Sequence, residues 1–178
     1  PGRPGPVQGY PVDLAGPLGR MERAPLITCD ASEHLKDSVD AGHLSGGDIH
    51  GHAIATADGD FAALDRITSR LFLEGVAPVT VLRAAGRHFQ RLHLVAGRVA
   101  AGSGAEQAMA GLRPPVFFKL KDRFRSQLRY WPTGALAKAL ERLTEAEIQC
   151  KSTGLPDRAV CSRALMALAN AAARRRAR

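Results

Sequence analysis

Leu82, Ala85, Phe89, Leu92, Ala96 and Val99 recur at alternating steps of three and four residues, and no other feature of the chain restricts its fold as much. That period keeps the apolar side chains on one face of an α-helix, whereas a strand would scatter them over both faces. With Pro78 opening it, the run predicts a helix over residues 79–100. About 22 residues at ~1.5 Å rise make a rod roughly 33 Å long, and its seam needs other helices to cover it. No segment alternates apolar and polar residues as a confident strand does, so the expected fold class is all-α, a helical bundle.

The neighbouring segments supply the covering helices. Asp60 precedes a run in which Phe61, Leu64, Ile67 and Leu71 share a face and Gly75 is the stop. A short helix over 105–112 leads into RPPVFFKLKDRFRSQLRYW, residues 113–131. There Phe117, Leu120, Phe124, Leu128 and Trp131 line one side of a helix expected over 115–131, beside Phe118. Its other sides carry Lys119, Lys121, Arg123, Arg125 and Arg129. Thr133 reads as an N-cap for a helix with Leu136, Leu140, Leu143 and Cys150 inward and Gly154 beyond its end. Pro156 opens the last helix, with Cys161, Ala164, Leu165, Leu168 and Ala172 on one face.

Three regions follow. Residues 1–47 are rich in Pro and Gly and lack sustained periodicity, so they are expected to be disordered or atypical, with at most a short helix near 32–39. Residues 48–173 form the helical domain, and 174–178 are an arginine-rich tail. The histidines at 34, 43, 50 and 52 share no helical face and read as solvated loop residues rather than metal ligands.

Composition narrows the partners. A net charge of +8 makes an acidic partner plausible, with nucleic acid ahead of an anionic membrane or an acidic protein surface. Arg83, Arg87 and Arg91, each four apart, make one stripe; Lys119 and Arg123, with Lys121, Arg125 and Arg129 beside them, make another. Either stripe could follow a phosphate backbone, but the favoured reading is the solvated faces of two amphipathic helices. Cys29, Cys150 and Cys161 have no zinc-site spacing and read as reduced thiols of a cytoplasmic protein. No run approaches a membrane span. Gly102-Ser103-Gly104 lacks the lysine of a phosphate loop, and His88 and His93, five apart, share no face as ligands. Glu141, Glu145 and Glu147 sit among basic neighbours, with Glu147 and Lys151 in the favourable i,i+4 order.

Four blocks in order, GDFAALDR at 59–66, RHFQRLHLV at 87–95, RPPVFFKLKDRF at 113–124 and EAEIQCKSTGLPDRAVCSRAL at 145–165, carry a resemblance. Together, over about 58–169, the chain resembles the C-terminal part of the delta subunit of DNA polymerase III in its alphaproteobacterial form. The resemblance implies an all-helical collar domain that joins delta to delta-prime and tau/gamma in the clamp loader, the complex that places the sliding clamp on primed DNA. It implies no cofactor and no active site in this chain, the nucleotidyltransferase activity belonging to the holoenzyme. The clamp-binding N-terminal domain of the family is not recognisable here. Under this reading Phe89, Leu92, Phe117, Phe118, Phe124, Leu128 and Trp131 are core or subunit-interface residues. Arg83, Arg87, Arg91, Lys119 and Arg123 are the candidates to face DNA through the assembly. A Pro/Gly-rich stretch where a helical middle domain is implied, with Pro1 leading it, points to a truncated or shifted-frame start. An independent basic helical module that binds nucleic acid is the alternative.

Overall fold

The computed structural model describes residues 46–177. The expectations for residues 1–45, including the helix near 32–39, His34, His43 and Cys29, lie outside that range. Among the described residues there are seven α-helices and no strand. They are α1 (Gly46–Asp58), α2 (Phe61–Leu73), α3 (Pro78–Ala100), α4 (Ala105–Ala110), α5 (Lys121–Tyr130), α6 (Thr133–Lys151) and α7 (Asp157–Arg176), with a 3-10 turn (Phe118–Leu120) before α5. The all-α bundle read from the periodicity is the observed architecture.

α3 is the central rod. Pro78 stands at its start, where a missing N–H costs nothing, and the chain runs for 23 residues before Gly102 turns it. Leu82, Ala85, Phe89 and Leu92 are fully buried and Val81 and Val95 widen the stripe, while Ala96 is half-buried and Val99 exposed. The seam therefore holds for four turns and leaves the core in the last. α6 packs most extensively on it, and α1 and α7 also pack against it.

α1 was not foreseen as a helix. Its residues from His52 to Asp58 are buried on every side, wedged between α2, α3 and α7, and alanines at 53, 55 and 57 let those neighbours approach closely. Gly59 and Asp60 then end one helix and begin the next. Gly59 takes φ 72, its N–H bonds the Thr56 carbonyl, and the Asp60 N–H reaches back to Ala55, a Schellman closure. The Asp60 carboxylate accepts from the Ala63 N–H and caps α2. On α2, Leu64 and Leu71 are buried as expected, but Phe61, at its first position, is exposed.

Three boundaries differ from the sequence reading. Residues 113–117 are not helical: two consecutive prolines keep the residues around them extended, and only one 3-10 turn precedes α5. Thr133 is the first residue of α6, with Pro132 at the cap position and no side-chain cap. Arg174, Arg175 and Arg176 continue α7 rather than forming a separate tail, and the Arg175 guanidinium lies 5.2 Å from the Trp131 ring centre.

Two histidines make the fold sensitive to acid. His52, far from being a solvated loop residue, is buried in α1 and its Nε2–H donates to the Val81 carbonyl at 2.9 Å. His88 on α3 donates to the Gln127 side-chain carbonyl at 2.8 Å. Burial outweighs these bonds and lowers each pKa from 6.5 to about 4. The folded state thus keeps both rings neutral where the unfolded chain protonates them. Their contribution to stability is complete above pH 6.5 and falls away as the pH drops toward 4. Between pH 7 and pH 4.5 the urea stability should fall by about 2 kcal/mol for each histidine. Replacing His88 by Gln should remove its share of that slope; an unchanged slope would contradict the assignment.

Candidate protein-docking groove

α5 is fastened to the C-terminal end of α1 by polar groups that interlock. A helix leaves its last carbonyls without partners, and here α5 reaches them. The Trp131 indole N–H donates to the Ala57 carbonyl at 2.8 Å, and the Gln127 amide N–H₂ reaches the Ile54 carbonyl at 3.5 Å. The Asp58 carboxylate accepts from Gln127 at 2.7 Å, from the Tyr130 hydroxyl at 3.1 Å and from Arg123 at 2.5 Å. Gln127 also accepts from His88, so one buried amide ties α1, α3 and α5 together. Burial, then the Asp58 charge, pushes the Tyr130 hydroxyl above its ordinary pKa.

Beside this junction the extended 112–117 segment bridges from α4 to α5 and roofs a groove of about 450 Å³ between α1, α3 and α5. Its apolar wall comes from Ala53 and Ile54 of α1, Ala84 and Leu94 of α3, Leu112, Val116 and Phe117 of the bridging segment, and Phe124 of α5. Four arginines, at 87, 91, 113 and 123, line it, and no Asp or Glu does. Arg91 donates through Nη2 to the Pro114 carbonyl at 2.9 Å, which anchors the segment, and its Nε–H is buried without a partner. Partial burial, and then the Arg83 charge one turn away, lowers the pKa of Arg87, as expected for a cation short of counter-charge.

The residues expected to matter are divided by this geometry. Phe89, Leu92, Phe124 and Trp131 are core, with the Phe89 and Trp131 rings edge to face at 5.1 Å, and Leu128 is half-buried against them. Phe117 and Phe118 are not core: they are 57% and 67% exposed, their rings tilted against each other where the extended segment meets the 3-10 turn. Of the expected DNA-facing cations, Arg83 is paired with Glu147 at 2.9 Å and Arg123 with Asp58, so neither stripe is a row of free charges. Glu147 also holds Lys151 at 2.7 Å, and the Lys151 bond, with Arg83 after it, keeps that carboxyl below its usual range. Arg87 and Lys119 remain outside any ion pair, and Arg91 is spent on the backbone of the bridging segment.

Sequence reasoning missed Asp58, Gln127 and His52, which organise the junction. Local spacing carried no signal for the first two. Among the described residues no group of three His, Cys, Asp or Glu side chains gathers as a metal site, and no helix is long and apolar enough to cross a membrane. The arrangement offers apolar contact and positive charge, which is a means of binding. No protein-family model, curated protein or solved structure matches the chain.

Proposed function

We propose that the chain is a non-catalytic assembly subunit of the replicative clamp loader, joining delta-prime and tau/gamma so that the sliding clamp is placed on primed DNA. The four ordered sequence blocks are the ground for naming that assembly. The observation that supports an assembly role is the exposure of Leu94, Phe117 and the adjoining Phe118 at a groove, whereas Leu73, Ile148 and Leu155, also exposed, line no such hollow. Phe117 and Phe118 were expected as core or subunit-interface residues; their exposure removes the first and leaves them available for the second. On this reading the protein works in the cytoplasm, uses no cofactor, and meets DNA only through the assembly. The internal engagement of Arg83 and Arg123 weighs against an independent nucleic-acid-binding module.

Gel filtration of the purified chain mixed with delta-prime and tau/gamma tests the proposal. A single early peak containing all the proteins is expected, persisting at moderate salt because the contact is largely apolar. Separate elution at every salt concentration would sink it.

A further inference from the structure

We propose that the groove roofed by the 112–117 segment docks an acidic amphipathic segment of a partner protein, one that carries carboxylates around one or two large apolar side chains. Three observations converge on that chemistry. The hollow, at about 450 Å³, is of the size that encloses a ligand, and its wall is mainly aliphatic, with Ile54, Leu94 and Val116 offering shape to branched side chains. Its lining charge is of one sign: four arginines line it with no carboxylate among them, and although Arg123 is held by Asp58, the other three are in no ion pair among the described residues and leave the groove positive. Arg91, one of those lining residues, spends Nη2 on the Pro114 carbonyl and has no carboxylate partner among the described residues, which an incoming acidic side chain supplies.

The occupant is a protein segment because the apolar surface continues past the hollow. Leu94 and Phe117 line the hollow yet are still 49% and 57% exposed, and Phe118 beyond the lining is 67% exposed, so a molecule confined to the cavity leaves Phe118 and part of the other two in water. An amphipathic helix laid across the opening covers them and drops its anchors inside. Nucleic acid fits less well. Arg123 is already held by Asp58, and the rings of Phe117 and Phe118 lie 4.8 Å apart, against each other rather than spread to receive bases. The inference rests on the chain acting by association with other proteins, but not on which assembly it joins.

Fluorescence anisotropy of the full chain is the test. The probes are labelled helix-forming peptides with Leu, Phe or Trp anchors at i and i+4 flanked by glutamates, the same peptides with every Glu changed to Lys, and a labelled oligothymidylate. The acidic peptides should bind and the Lys versions should not. Arg87→Glu and Leu94→Glu, both at exposed positions, should each weaken binding about tenfold or more, while Arg142→Glu on α6 changes nothing. Circular dichroism of each variant establishes that it is folded. Absence of binding by every acidic peptide, equal binding of the Lys versions, binding of the oligonucleotide alone, or indifference to Arg87→Glu would each overturn the proposal. The two readings fail separately. Co-elution with the loader subunits without peptide binding removes the groove alone, and peptide binding without co-elution removes the loader alone.

Discussion

Replacing Trp131 by alanine should destabilise the fold by about 4 kcal/mol, close to the largest loss expected from one core truncation. The side chain is 1% exposed, so its whole apolar area is withdrawn from water, and its ring meets that of Phe89 nearly perpendicularly. Its removal leaves a hollow between α1, α3 and α7 that an interior built on rigid helices cannot close. It also abandons the Ala57 carbonyl, one of the last in α1, and takes away the ring beneath Arg175. Trp131→Phe separates these terms: most of the volume returns and the hydrogen bond does not, so that variant should lose only about 1–2 kcal/mol. Urea unfolding followed by far-UV circular dichroism measures both, since the alanine variant has no tryptophan left to report. Equal losses for the two variants would show that the indole N–H, and not the packing, carries the junction.

Gly59→Ala should cost about 3 kcal/mol, a large effect for one methyl group. Two penalties combine. The backbone sits at φ 72, where any L side chain is strained by about 1–2 kcal/mol. A Cβ there would lie 2.7 Å from the Ala173 nitrogen and 2.8 Å from the Ala169 oxygen, both backbone atoms of α7 that cannot swing away. The α1–α2 corner would have to lift off α7. Gly75→Ala is the control, because Gly75 has φ 82 but open space around its Cβ position, and it should cost about 1 kcal/mol. Trp131 fluorescence follows both variants. If the two glycines proved equally tolerant of alanine, the close approach of the corner to α7 would be wrong.

The contrast between α1 and α3 explains what could be read in advance. α3 shows large apolar residues on one side only, and that asymmetry makes a period visible. The second half of α1, residues 52–58, is buried all round, with alanines at 53, 55 and 57 and His52 and Thr56 enclosed among them, so no face stands out and the segment reads as a loop. The 113–131 run misled in the opposite way. Phe117 and Leu120 keep helical spacing with Phe124, yet Pro114 and Pro115 prevent the first turn, which leaves Phe117 and Phe118 outside the core. The charges needed tertiary information: Arg83 finds Glu147 64 residues away and Arg123 finds Asp58 65 residues away. The groove was hidden for the same reason, since its walls come from three helices and a bridging segment far apart in the chain.

Hydrogen–deuterium exchange on the chain alone and mixed with delta-prime and tau/gamma tests most directly whether this protein works by association through the groove. Protection should appear on mixing at residues 112–120 and along the Arg87–Arg91–Leu94 face of α3, with little change on the exposed face of α7. Exchange that is identical in the presence and absence of the loader subunits, or protection confined to surfaces away from the groove, would contradict it.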